Sequence, residues 1–415
     1  MANNNSTTIK LLQWNIRSYN SNRDNLISLI GEWDPDVILL NETWFKPNIN
    51  YYIEHYFMVR NDREDGYGGV ATLIKSKIKY KVIRKNLNSK TRNQFIIIKI
   101  GDIFITNLYL ADEANILKID LNRIVQETQG KSIIMGDMNS HHRIWGSSKI
   151  DLKGKVIEKI MEENNYVILN DGRSTRLSNP DSEPSPVDLT ICSQEISSKI
   201  SWNIIDDCGN SDHFPTFCTL LEEDHGITEY SQNLPQTQSR NLKKADWGMF
   251  RQIAEIKFEN KSNDMEYDEF ATNLQEIVNL TIPEKNKNIK INKPSCPWWD
   301  EDCNNQIKER KRALRYFKNN QTLENYLIAK NKIASAKRFL KQKKKTKFRA
   351  YCGTLNRNTN ISETWNMVRK FSRIKNNNTT KSLPEKRIAT NILERLTPCD
   401  INPFLIYIMY LMKNK

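Results

Sequence analysis

Seven cysteines in 415 residues (Cys192, Cys208, Cys218, Cys296, Cys303, Cys352 and Cys399) form no CxxC pair and are odd in number. Neither a disulfide framework nor a zinc site is signalled, and a reducing compartment is the expectation. The longest apolar run, residues 404–412, is far short of the ~20 residues that a membrane span requires. The first ten residues are polar and asparagine-rich, with no apolar stretch behind them, so no signal peptide is read. No period of 20 to 50 residues repeats. Glycine almost disappears after residue 221, with 11 of 14 lying before it. These gaps leave a soluble intracellular protein whose turns are concentrated in its first half.

The charge divides at the same place. Residues 1–221 hold 26 Lys and Arg against 27 Asp and Glu, and residues 222–415 hold 37 against 22, so the halves carry −1 and +15 of the total +14. Four segments follow: an α/β domain over 1–225, a linker over 226–244 rich in Gln, Asn, Ser and Lys, a mainly helical basic region over 245–374, and an irregular tail over 375–415. In the first segment, short apolar runs at 9–14, 37–40, 70–74, 95–100, 103–110, 132–135, 187–191 and 214–221 read as strands. Helical spacing falls at 23–33, 113–127 and 155–164, and Gly101-Asp102 is a hairpin turn. Mixed sheets with helices outside them are implied. In the basic region, 247–280, 300–318 and 322–349 read as helices, the last with Leu323, Leu327, Ile333, Ala336 and Leu340 on one face.

Carboxylates and amides stand where strands end, the place at which α/β folds put their chemistry. Asn15 ends the run Leu11-Leu12-Gln13-Trp14, Glu42 follows Val37-Ile38-Leu39-Leu40-Asn41, and Asp137 and Asn139 follow Ile133-Ile134-Met135-Gly136. Ser211-Asp212-His213-Phe214-Pro215 precedes the last strand. The set offers hard oxygen ligands, amides and one imidazole, which suits a phosphodiesterase dependent on Mg2+, with Mn2+ as a substitute. Glu42 is the first choice of ligand, with Asp212 assisting. Asp137 is placed to orient or deprotonate water, Asn139 to fix it, and His213 to donate to a phosphate oxygen if Asp188 holds its far nitrogen. Any one of these residues alone is more often a turn residue or a cap. Their conjunction carries the reading.

The order WNI, NETW, GDMN, SDHFP over residues 9–221 resembles the endonuclease/exonuclease/phosphatase superfamily. Gly136-Asp137-Met138-Asn139-Ser140-His141-His142, followed by Trp145-Gly146-Ser147, is similar to the endonuclease of non-LTR retrotransposons of the arthropod jockey type. The resemblance implies a four-layered α/β sandwich and a target-site nickase that leaves 3′-hydroxyl and 5′-phosphate ends. It places Asn15, Glu42, Asp137, Asn139, Asp188, Asp212 and His213 at the family's catalytic positions, Tyr109 at a phosphate-contacting tyrosine, and Thr175 at a polar contact. Ser211 is counted with Thr175 among the substrate contacts. Asn41 stands where many relatives have Gln. His141 and His142 as a second metal site are set aside, because neighbours at a turn point apart. Trp145 is read as a packing anchor. Asp206-Asp207 as a polymerase pair is rejected because it precedes the endonuclease's own last motif.

Ser295 to Cys303 and Glu309 to Leu314 resemble the helical segment that joins endonuclease to reverse transcriptase in such elements. There Arg310, Arg312, Arg315, Lys337, Arg338, Lys341 and Lys344, interleaved with aromatics, are expected to contact nucleic acid without regard to sequence; the alternative is a helical hairpin whose lysine run serves nuclear import. Nothing after it resembles the opening of a reverse transcriptase, so a truncated or frameshifted copy is the expectation. The partners expected are DNA and, secondarily, element RNA, in the nucleus. Two other readings stay open: an inactive relic that only binds nucleic acid, and a phosphatase of the same fold. Target choice is expected from the loops at 61–69, 140–148 and 173–186.

Overall fold

The computed structural model describes residues 7–85, 92–111, 114–182, 186–222, 245–258, 267–283 and 296–355, with residues 360, 362–364, 367 and 371. The chain opens β1 (Thr7–Asn15), α1 (Tyr19–Trp33), β2 (Val37–Asn41), β3 (Tyr56–Asn61), β4 (Val70–Lys75), β5 (Lys81–Lys85), β6 (Gln94–Ile100) and β7 (Ile103–Tyr109). It continues through α2 (Ala114–Glu127), β8 (Ser132–Asp137), a 3-10 turn (Arg143–Trp145), α3 (Leu152–Glu163) and β9 (Tyr166–Ile168). β10 (Asp188–Ser193), α4 (Gln194–Ser197), β11 (Ile200–Ile204) and β12 (Thr216–Glu222) complete the α/β part.

Two six-stranded sheets result, in the orders β11-β12-β1-β2-β4-β3 and β5-β6-β7-β8-β10-β9. Each contains a single parallel pair, β1 with β2 and β7 with β8, among antiparallel ones. Side chains alternate along a strand, so each central strand feeds two cores. Ile9, Leu11, Val37 and Leu39 of the first sheet meet Ile96, Ile98, Ile105, Ile133 and Met135 of the second between the sheets. Leu12, Trp14, Ile38 and Leu40 point the other way, onto Leu26, Ile27 and Ile30 of α1. Ile97, Leu108, Ile134 and Ile191 face outward from the second sheet onto Leu121 and Ile124 of α2 and Ile157 and Ile160 of α3. Burial on both faces explains why these strands read as unbroken apolar runs. The layers are helix, sheet, sheet, helix, the four-layered sandwich that the resemblance implied.

The sequence gives no sign of four strands: β3, β5, β9 and β11. These are the four outer edges of the two sheets. An edge strand pairs on one side only and is covered less, as in β5, where four of five residues are exposed; no apolar run is then needed to form it.

The helices of the region read over 245–374 fall in two compact units. α5 (Trp247–Phe258) and α6 (Tyr267–Thr281) lie in a compact unit drawn from residues 226–292. In it, Asp246 N–H donates to the Thr281 carbonyl at 2.9 Å, and the rings of Phe258 and Phe270 lie 5.3 Å apart. α7 (Glu301–Asn319) and α8 (Leu323–Thr354) instead share a unit with residues 1–225. Asp300 caps α7 by accepting from Cys303 N–H, and Glu301 and Asp302 add negative charge to its first turn. Leu314 and Phe317 of α7 and Ala329 of α8 pack with Leu177, Ile204 and Phe214.

That packing corrects two expectations. Leu323 and Leu327 lie on the exposed side of α8, at 52% and 57%, because Ala329, Ala336 and Leu340 form the buried stripe. Arg310, expected on nucleic acid, is only 1% exposed and donates to Asp207 at 2.8 Å and Asn25 at 3.1 Å. Its guanidinium fastens α7 to the sandwich and is withdrawn from any phosphate. The linker 226–244 and tail 375–415 lie outside the described residues.

Removing one member of a buried ion pair leaves the other charge without compensation, a loss of about 3–5 kcal/mol. Arg310→Ala is therefore expected to lower the free energy of unfolding, measured by urea titration, by an amount in that range, whereas Arg310→Met combined with Asp207→Leu restores most of it. An unchanged midpoint in Arg310→Ala would mean that α7 is not held by this pair.

Candidate active site

The ends of β1, β2, β8 and β10 converge. β10 pairs with β8 so that Asp188 faces Asp137, and β1 pairs with β2 so that Asn15 faces Asn41. Asp188 accepts from or shares its proton with His213 Nδ1 at 2.8 Å, while Nε2 of the same ring lies 4.0 Å from Asp137 Oδ2. Asn15 Nδ2 donates to Asp137 Oδ2 at 2.8 Å and to Glu42 Oε1 at 3.0 Å. Tyr109 donates its hydroxyl to the same Glu42 oxygen at 3.3 Å. Asn139 N–H donates to Asp137 Oδ1 at 3.1 Å, and its side-chain amide to the Leu110 carbonyl. The structure brings six of the expected site residues together, Asn15, Glu42, Tyr109, Asp137, Asp188 and His213, with Asn139 on their rim.

Backbone strain gathers at the same rim. Arg17, Ser18, Glu42, Trp44 and Asn139 all have positive φ, with values of 41°, 82°, 49°, 52° and 44°. Non-glycine residues rarely adopt it, and such residues collect where geometry serves function.

The electrostatics follow from burial. Asp137, sealed in the protein, has its pKa pushed up to about 6 by burial against the pull of His213, with Asp188 adding to the rise. His213 is buried as well, which alone would lower it, but Asp188 and then Asp137 outweigh burial and carry it up to about 9. Burial and the adjacent Glu42 push the Tyr109 hydroxyl up, so it stays a donor. Ligand atoms of Asp137, Asp188 and His213 lie within 4.8 Å of one another. That spacing alone would admit a cation. A protonated His213 paired with the two carboxylates would satisfy the same cluster without one.

With this geometry fixed, known proteins offer a comparison. Residues 103–217 match the family described as endonuclease-reverse transcriptase. The RNA-directed DNA polymerase from mobile element jockey of Drosophila melanogaster is 22% identical over 292 residues, 69% of this chain and 32% of that protein. The probable RNA-directed DNA polymerase from transposon X-element of the same species is 22% identical over 231 residues, 54% of this chain and 25% of that one. Over residues 103–217 the chain is therefore similar to that endonuclease family. The chain spans about a third or less of the length of these relatives. Among solved structures, the endonuclease domain of TRAS1, a telomere-specific non-LTR retrotransposon, is similar at 18% identity and a TM-score of 0.44, covering 52% of this chain and 98% of that one.

Within the α/β sandwich, three expected contacts turn out to be internal. Thr175 is fully buried, and its hydroxyl oxygen accepts from Val187 N–H and Asp188 N–H at 3.1 and 3.0 Å, fixing the start of β10. Ser211 donates to the Asn15 carbonyl at 2.8 Å and accepts from His213 N–H. Both orient catalytic candidates, and both are buried, at 0% and 4% exposure. Asp212, expected beside Glu42 on the metal, has one oxygen 2.8 Å from Arg17 and the other bonded by Arg176 at 2.9 and 3.0 Å. The Arg176 and Arg17 guanidiniums and His213 hold its carboxyl down to about 2 although burial opposes them.

His141 and His142 do not converge: the first meets Ser147 at 3.2 Å, and the second lies 3.3 Å from Glu158. Trp145 is fully buried and donates to the Ser140 carbonyl, an anchor under the loop. Asp206 and Asp207 pair with Lys318 and Arg310 of α7, a docking role. Sequence reading noted Asn41 without giving it a role and passed over Gln13 and Asn107. Gln13 donates to Asn41 and Asp188 at 3.0 Å each, Asn41 accepts from Asp137 N–H at 3.0 Å, and Asn41 donates to Asn107 at 2.8 Å. Their only signal is polarity inside runs that are otherwise apolar.

His213 owes its raised pKa to Asp188, so its protonation reports the pair. The stabilisation it brings is full below the ordinary histidine value of about 6.5 and is lost as pH rises through about 9. In Asp188→Asn the His213 resonance, followed by NMR, is expected to titrate roughly one to three units lower than in the wild type. Coincident titrations would separate His213 from Asp188 in solution.

Proposed function

We propose that the chain is a divalent-metal-dependent DNA endonuclease that hydrolyses one strand and leaves 3′-hydroxyl and 5′-phosphate ends, as target-primed retrotransposition requires. The observation that carries this is His213 held between Asp188 and Asp137, with Asn15 joining Asp137 to Glu42.

Glu42 fits a hard cation. Its Oε1 is fixed by Asn15 and Tyr109, which leaves Oε2 for an ion, and Mg2+ commonly takes one or two protein carboxylates with waters and phosphate making up the rest. Asp212 does not fit, since both its oxygens are taken by arginines. When bound, the cation would neutralise charge on the scissile phosphate and leaving oxygen. The residues supply the remainder. Asp137, with a pKa near working pH and both oxygens oriented by Asn15 and Asn139, takes the proton of the attacking water. The bond from water oxygen to phosphorus forms, the bond from phosphorus to the 3′ oxygen breaks, and the leaving 3′ oxygen takes a proton from solvent water to become the hydroxyl. His213 donates from Nε2 to a phosphate oxygen, its charge secured by Asp188.

The exposed Arg312, Arg315, Lys337, Arg338 and Lys341 form the basic face proposed for nucleic acid. Lys344 pairs with Asp24 at 3.6 Å and Arg315 lies 3.7 Å from Asp206, so these two are partly committed to the sandwich. No helix among the described residues is long and apolar enough to cross a membrane, and placement in the nucleus remains part of the proposal, as does element RNA as a second partner.

A supercoiled plasmid with Mg2+ should be relaxed to open circles, and Asp137→Ala and His213→Ala are each expected to slow this by about 10²–10⁴. The rate should need Asp137 ionised and His213 protonated, rising through about pH 6 and falling through about pH 9. Phosphate release from inositol phosphates without nicking would favour a phosphatase, and relaxation that survives both substitutions would place the chemistry elsewhere. On α8, Lys337→Glu with Arg338→Glu and Lys341→Glu should flatten the salt dependence of DNA binding by about 0.9 for each phosphate that is no longer neutralised. Substitution is the better probe than deletion of residues beyond 225, because α7 closes part of the sandwich's own core.

A further inference from the structure

Arg17 and Arg176 are half-exposed, with side-chain exposures of 51% and 44%, yet both are fixed. Arg17 sits in the left-handed region two residues after Asn15, its N–H donating to the Asn15 side chain at 3.2 Å. Arg176 forms a β-bridge with His213, and Leu177 N–H donates to the Asp212 carbonyl at 2.7 Å. The two guanidiniums are therefore carried by the same backbone that positions Asn15 and His213. One carboxylate, Asp212, joins them, using one nitrogen of Arg17 and two of Arg176. A guanidinium has five N–H donors in a planar fork, so each retains donors beyond those spent on Asp212. Two positive charges on one negative leave the cluster cationic, beside His213, in a domain whose net charge is about neutral.

We propose that Arg17 and Arg176 form a clamp for a backbone phosphate next to the scissile one, and that Asp212 is a positioning residue for the two arginines. This rests on the nuclease reading for the location of the scissile phosphate, while binding itself needs no turnover. A planar fork matches the two oxygens of a phosphodiester. Preorganisation by Asp212 removes part of the entropy cost of fixing two long side chains. Asp212 thus serves substrate placement where a metal role was expected from the sequence.

Binding of the full chain to a short duplex in EDTA, followed by fluorescence anisotropy against salt, reads the clamp without any cleavage. The double variant Arg17→Ala, Arg176→Ala is expected to reduce the slope of log affinity against log salt by about 1.8, or about 0.9 for each arginine. Arg17→Lys with Arg176→Lys should keep most of the slope and still lose affinity, since the charge stays and the fork is lost. In the nicking assay the double alanine variant should raise KM about tenfold or more with kcat little changed. Asp212→Asn should raise KM likewise and leave the midpoint of the Mg2+ titration where it is in the wild type, and Asp212→Glu should recover part of the affinity. An unchanged slope in the double alanine variant overturns the clamp. A Mg2+ midpoint displaced in Asp212→Asn, with KM unaltered, overturns the positioning role and returns Asp212 to the metal. Absence of nicking in the wild type, with the slope difference intact, would count against the nuclease reading alone.

Discussion

Everything at the site depends on a requirement that buried polar groups be satisfied where two sheets meet. Gln13, Asn41 and Asn107 lie at no exposure on the inner faces of β1, β2 and β7. An apolar sandwich could close with many offsets between its sheets. The amides remove that freedom, because each of their donors and acceptors finds a partner at one offset only: Asn41 with Gln13, Asn107 and Asp137 N–H, and Gln13 with Asp188 and Thr216. A one-residue slip would turn these side chains to the other face and leave them unpaired. The network therefore sets the register that brings Asp137 and Asp188 of the second sheet to Asn15 and Glu42 of the first.

The carboxylates acquire different chemistry from different surroundings. Asp137 and Asp188 face each other across one strand pair, and each lies near His213, but Asp188 is the one bonded to its Nδ1. The proton on the ring binds Asp188 structurally and leaves Asp137, raised by burial, as the group able to exchange a proton near neutral pH. Glu42, less buried and fixed through one oxygen, keeps its second oxygen for the cation proposed above. Asp212 is drawn outward by two arginines. Four acids that look equivalent in sequence are thus separated by burial and by which cation each meets first.

The basic helices show the same principle at the surface. In α7 and α8 one buried stripe engages the sandwich, and the arginine within that stripe, Arg310, becomes an anchor. Residues on the opposite side, such as Arg312 two positions on, remain exposed. Helical period alone decides which lysines and arginines are turned to solvent.

The sequence by itself determined the central strands, because burial on both faces demands apolar runs such as Val37 to Leu40, and it determined the strand ends that carry Asn15, Glu42, Asp137 and His213, because polar residues interrupt those runs. It marked the helices of the basic region through their spacing. Tertiary structure alone decided the four edge strands, which need little burial to form, and the fates of Thr175, Ser211, Asp212 and Arg310. Each of those four has a polar side chain whose partner lies in another segment: Val187 and Asp188 for Thr175, Asn15 for Ser211, Arg17 and Arg176 for Asp212, and Asp207 for Arg310. A side chain that pairs with a remote segment and one that faces substrate leave the same letter in the sequence. Only the packing that brings the partner within hydrogen-bond distance tells them apart.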